Sequence, residues 1–116
     1  MTLIPKSEIR NVSDITDTEK QRIYDYLQGA VYCWCKNRFS EWFSVRDLFG
    51  GDNFDWNGTP MIVLYQKHKS KGKTDDKAIS DAGKDAGWIL KRVIDNDSRD
   101  FETKKEELIR KYRWKK

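Results

Sequence analysis

The residues in this sequence with the clearest chemistry are cations. Lys67, Lys69, Lys71 and Lys73 alternate along one stretch, and alternating lysines on a loop can all turn toward a polyanion. A second concentration closes the chain, where Arg110, Lys111, Tyr112, Arg113, Trp114, Lys115 and Lys116 interleave positive charge with aromatic rings. Phosphate contacts combined with base stacking require that mixture. The net charge is only +4, yet from residue 103 onward seven Lys and Arg stand against Glu106 and Glu107 alone. Basicity is therefore local rather than global. A solvated loop and a charged helix end are the plainer accounts of the same residues, and Tyr112 and Trp114, two apart on a helix, would diverge by about 200° so that at most one faces the core.

Other chemistries lack a full set of groups. Cys33, Cys35 and His68 offer three zinc ligands at most, at a spacing unlike the common fingers. Two positions apart on a helix, the cysteines are also poorly placed for a mutual disulfide. Asn53, Asp55, Asn57 and Gly58 match the first half of a calcium loop, but Leu64 stands where a bidentate Glu should close it, which favours an ordinary Asx-type turn. Gly72-Lys73-Thr74 resembles the end of a phosphate-binding loop; the glycine required upstream is Lys67, and no strand precedes it. Asp95, Asp97 and Asp100 gather carboxylates without a matching partner set, and capping accounts for them. His68, the sole histidine, has no nucleophile that spacing assigns to it. The expectation is no catalytic residue, no metal site and no cofactor.

These residues must be positioned by helices. Residues 1–15 contain Pro5 and no sustained period, and are read as an extended arm before a single helical domain over 16–116. Thr16 with Glu19 forms a capping box for a long helix to about Arg38, in which Ile23, Leu27, Ala30, Val31 and Trp34 trace the apolar face. Ser44 with Asp47 caps a short helix over 45–49, ended by Gly50 and Gly51. A loop follows, pinned by Phe54 and Trp56. Thr59-Pro60 opens a third helix that Gly72 stops. Thr74 caps a fourth, with Asp75 and Asp76 near its positive end and Ala78, Ile79, Ala82, Ala86, Ile89, Leu90 and Val93 on its buried face. Ser98 can cap a fifth, on which Phe101, Lys105, Leu108 and Tyr112 share a side.

Gly83 and Gly87 interrupt the fourth helix, each weakening it by about 1 kcal/mol relative to Ala. Either a neighbour packs closely there or the helix breaks. A helix-turn-helix with its turn at Gly83 would place Lys84 and Arg92 where apolar residues belong, so a helix with a small-residue contact face explains the segment better. The resulting fold is all-α, a small single-domain bundle of about five helices.

With 116 residues the chain suits one domain. No run approaches the roughly 18 apolar residues of a membrane span, so the expectation is a cytoplasmic protein without a membrane partner, its thiols reduced. The most specific function the sequence supports is non-catalytic nucleic-acid binding, DNA or RNA, through Lys67, Lys69, Lys71, Lys73, Arg110, Lys111, Arg113, Trp114, Lys115 and Lys116. The alternative is a protein-interaction or self-associating module using Trp42, Phe54, Trp56, Ala82, Gly83, Ala86 and Gly87, small and aromatic residues that interfaces favour. An enzyme of unassigned class ranks third.

Overall fold

In the computed structural model, which describes residues 9–48, 56–107 and 109–115, four helices precede a β-hairpin. They are α1 (Asp17–Asn37), α2 (Val45–Leu48), α3 (Ile62–Ser70) and α4 (Asp75–Asn96), followed by β1 (Phe101–Glu106) and β2 (Ile109–Trp114). The architecture is mostly helical with a small antiparallel sheet, which corrects the expectation of an all-α bundle of five helices.

Local chemistry explains most of the helix boundaries. At the start of α1 the Thr16 hydroxyl accepts from Glu19 N while Thr16 N donates to the Glu19 carboxylate at 2.8 Å, so two orphan donors are satisfied together. Ile23, Leu27, Val31 and Cys35, each one turn beyond the last, are buried. Before α2, Ser44 N donates to Asp47 Oδ2 at 2.8 Å, the second capping box. Phe49, Gly50, Gly51, Asn53, Phe54 and Asp55 lie outside the described residues.

The start of α3 departs from expectation. Thr59 donates its hydroxyl to the Trp56 carbonyl at 2.8 Å instead of capping, and the helix begins after Met61, whose side chain provides no cap. Gly72, at φ +83°, ends the turn after α3, a left-handed conformation that glycine adopts without strain. Thr74 then accepts from Lys77 N at 3.3 Å and opens α4.

Helix α4 runs unbroken through Gly83 and Gly87. A turn at Gly83 is thereby excluded. Nor does a neighbour press on either glycine, because a Cβ at each would meet nothing within 4 Å. The tight connection lies earlier, over residues 71–74, and joins α3 to α4. One side of α4 buries Ala78, Ala82, Ala86, Ile89, Leu90, Val93 and Ile94 against α1 and α3.

The expected fifth helix is replaced by the hairpin for two reasons. Asp97, rather than Ser98, organises the end of α4: its carboxylate accepts from Arg99 N at 2.9 Å, Arg99 Nη1 at 2.7 Å and Gln28 Nε2 at 2.9 Å, which holds the chain out of helical geometry. The second cause is long-range. Phe43 and Tyr112 exchange backbone N–H···O bonds in both directions at 2.8 Å, drawing β2 into extended pairing beside the core. The register pairs Phe101 with Trp114, Thr103 with Tyr112 and Lys105 with Arg110. Residues two apart on a strand share a face, so Tyr112 and Trp114 point to the same side: Tyr112 is buried and Trp114 packs half-buried against the core.

The core runs from Ile23, Leu27 and Val31 through Phe43, Met61 and Leu64 to Leu90, Val93, Ile94 and Tyr112. Phe43 sits among the rings of Trp34, Tyr112 and Phe101 at centroid distances of 5.6, 5.9 and 6.2 Å. The described part of the arm is seated on it. Val12 is buried, Asn11 accepts from Arg92 at 2.9 Å and the Ser13 carbonyl accepts from Lys67 at 2.6 Å. Among the described residues no helix is long and apolar enough to cross a membrane.

Candidate nucleic-acid interface

The four lysines of the first basic segment each meet a carboxylate. Lys67 pairs with Asp85 at 2.9 Å, Lys69 with Asp75 at 2.8 Å, Lys71 with Asp14 at 2.6 Å and Lys73 with Asp81 at 2.8 Å. At the centre His68 is buried between Asp85, 2.7 Å from Nε2, and the Lys73 ammonium, 2.7 Å from Nδ1. An ammonium has no acceptor, so Nδ1 accepts from Lys73 and Nε2–H donates to Asp85. The Lys73 hydrogen bond, helped by Lys77, holds the Asp81 carboxyl down at about 2. In the same way Lys69 lowers Asp75, and Lys71 lowers Asp14. The alternation in the sequence thus marks an ion-pair lattice that ties α3, the arm and α4 together.

The second basic segment divides between the two faces of the hairpin. On the outer face Arg113 pairs with Glu102 at 2.7 Å, Lys104 with Glu106 at 3.2 Å and Lys111 with Glu106 at 3.7 Å. The Lys104 hydrogen bond lowers the Glu106 carboxyl. Trp42 lies under this face, its ring 4.3 Å from the Lys104 ammonium and 4.6 Å from the Arg113 guanidinium. On the inner face Lys105 and Arg110 form a cross-strand pair. Lys115 is exposed, and Lys116 lies outside the described residues.

Inner-face Lys105 and Arg110 border a groove of about 690 Å³ between α4, α2 and the hairpin. Gly83 and Gly87 lie along it, and Val45, Trp56, Ile79, Trp88, Leu90 and Ile109 supply its apolar surface. Among its described lining residues are five cations, Arg46, Lys84, Lys91, Lys105 and Arg110, against the single carboxylate Asp76. Lys84, Lys91 and Arg46 were missed by sequence reasoning because no charge run marks them. They are brought together by the period of α4 and by the folding back of the hairpin.

The structure separates the two expected basic segments. Asp81 and Asp85, which receive Lys73 and Lys67, lie two residues before Gly83 and Gly87 respectively. Two residues along a helix is about 200° of rotation. Hence the Lys67 and Lys73 pairs lie roughly opposite Gly83 and Gly87 on α4, although Lys84, at the groove, also comes to 4.0 Å from Asp81.

The expected interface residues also divide. Ala82 and Ala86 are fully buried and Trp56 nearly so, whereas Gly83 and Gly87 are half-buried along the groove. Phe54 lies outside the described residues. Cys33 is exposed and Cys35 buried, where burial pushes its thiol up; among the described residues no group of three His, Cys, Asp or Glu could hold a metal ion. No known protein family, no curated protein and no solved structure matches this chain.

Proposed function

We propose that this chain is a non-catalytic nucleic-acid-binding domain whose contact surface is the groove between α4 and the hairpin. The observation that carries the proposal is the gathering of Arg46, Lys84, Lys91, Lys105 and Arg110 around one concave surface bearing Asp76. Backbone phosphates supply the opposing charge, and such contacts dominate the affinity of nucleic-acid binders. The two helical glycines suit the same purpose, since absent side chains let a ligand approach the backbone closely. This moves the binding surface away from the lysines at 67–73, whose ammonium groups are held by carboxylates, and keeps Arg110 from the second segment.

The test is anisotropy of labelled DNA and RNA with increasing salt. Binding is expected at low salt, weakening steeply as salt rises, and the combined reversal Lys84→Glu, Lys91→Glu, Lys105→Glu should remove it. Lys36→Glu, on α1 and outside the groove, should change it little. Absence of binding at low salt would sink the proposal.

A second reading rests on the apolar part of the groove, provided by Val45, Ile79, Leu90 and Ile109 among others. An acidic, amphipathic protein segment would fit an apolar floor with a basic rim. Recovery of a protein partner that Gly87→Leu releases, from a chain that ignores nucleic acid, would favour it.

A further inference from the structure

The shape and chemistry of the groove decide which form of nucleic acid it can take. Its volume of about 690 Å³ falls among pockets that enclose a drug-sized molecule, so it has room for about two unpaired bases. The floor is apolar, supplied by Val45, Ile79, Leu90 and Ile109, and at Gly83 and Gly87 the surface of α4 carries no side chain. Cations border it. Arg46, Lys84 and Lys105 are exposed, while Lys91 and Arg110 are half-buried. Trp88 holds one of these charges in place, with Lys91 4.6 Å from the ring centre, and Arg10 at 4.8 Å brings another to the same ring.

A ligand complementary to both parts carries negative charge along a backbone and apolar faces that it can turn to the floor. Single-stranded nucleic acid has both, because its bases are unpaired and their flat faces can lie against aromatic or aliphatic side chains. In a duplex those faces are stacked on one another, and only phosphates, sugars and base edges are presented. Proteins read those edges with an element that protrudes into a groove of the nucleic acid. Here the basic residues border a hollow instead. A duplex, a convex rod, would meet the rim alone and leave the apolar floor in water.

Resting on the nucleic-acid reading above, we infer that the ligand is a single strand, DNA or RNA. Its phosphates meet Arg46, Lys84, Lys91, Lys105 and Arg110, and unpaired bases lie on the floor between them. Charge complementarity supplies the attraction, and burial of base faces gives the preference for an unpaired strand. Contacts to base faces and phosphates are tolerant of sequence.

The experiment compares the full chain on four probes of one sequence, each about 20 bases or base pairs, two turns of duplex: single-stranded DNA, single-stranded RNA and the two corresponding duplexes. At equal low salt at least one single strand should bind about tenfold or more tighter than either duplex. Gly87→Leu fills the floor and removes no charge, so it should weaken that binding about tenfold while the salt slope, set by the phosphate contacts, stays the same. The double variant Gly83→Ala, Gly87→Ala adds Cβ atoms that meet nothing within 4 Å. It should weaken binding about threefold, and it decides the matter where the larger side chain disturbs folding. Tyr26→Ala, an exposed ring outside the groove, should leave binding as it was. A duplex binding as tightly as the single strands overturns the inference and leaves nucleic-acid binding standing. So do glycine variants that bind single strands like the parent chain, or a loss with Tyr26→Ala as large as with Gly87→Leu. Failure of all four probes at low salt overturns both.

Discussion

At the scale of single residues, His68 and Asp81 show how position in the fold changes the meaning of a side chain. His68 is the only histidine, and the sequence placed it on a helix among lysines; the acids that complete its surroundings, Asp81 and Asp85, come from the next helix and no spacing rule marks them. With Nδ1 accepting from Lys73 and Nε2–H donating to Asp85, nitrogen NMR of the neutral ring should find the Nε2–H tautomer. His68→Ala leaves both half-buried neighbours without that partner, and should lower stability by about 1–3 kcal/mol in urea unfolding. Asp81 supplies the pH dependence. Its carboxyl titrates at about 2 in the folded chain against an ordinary 3.8, chiefly through Lys73. A depressed folded value means that the contribution is complete above the unfolded value and is lost as pH falls from about 4 toward 2. Over that window Asp81→Asn should lose less stability than the parent chain, although it starts less stable at neutral pH. Parallel acid limbs in the two unfolding curves would contradict this.

At the scale of elements, boundaries set by short-range chemistry were legible and those set by distant partners were not. The caps at Thr16, Ser44 and Thr74 act within three residues, so a sequence carries them whole. The hairpin was misread as a helix because residues 98–112 offer helical spacing, while the decisive contacts are the Phe43–Tyr112 backbone pair and the Gln28–Asp97 bond. Gly83 and Gly87 were legible as anomalies, but the cause assigned to them was wrong: neither a helix break nor close packing is present, and open space lies over both. That space yields a prediction. Gly87→Ala should add about 1 kcal/mol of stability, the ordinary glycine-to-alanine difference in a helix, measurable by urea unfolding. Gly87→Leu should retain a stable fold and yet weaken any ligand that enters the groove. A destabilised Gly87→Ala would show that its Cβ meets an obstruction.

For the whole molecule the deciding quantity is where the fold gathers its charge. A count of cations along the chain cannot separate a lysine held by a carboxylate from one beside a groove, which is why residues 67–73 were read as a binding segment while Lys84 and Lys91 were not. The fold sorts them: the lattice of Lys67, Lys71 and Lys73 holds the arm and α3 to α4, and the cations of the groove gather between α4, α2 and the hairpin. The two sets should therefore respond differently to the same substitution. Lys84→Gln or Lys105→Gln should lower the salt slope of DNA binding by about one for each phosphate contact removed while unfolding hardly changes. Lys67→Gln or Lys73→Gln should do the reverse, lowering stability because Asp85 or Asp81 loses one of its charged partners, with the salt slope unaltered. Measuring both slope and unfolding midpoint for each of the four variants checks the division. A slope that falls with Lys67→Gln as much as with Lys84→Gln would return the binding surface to the lysine segment.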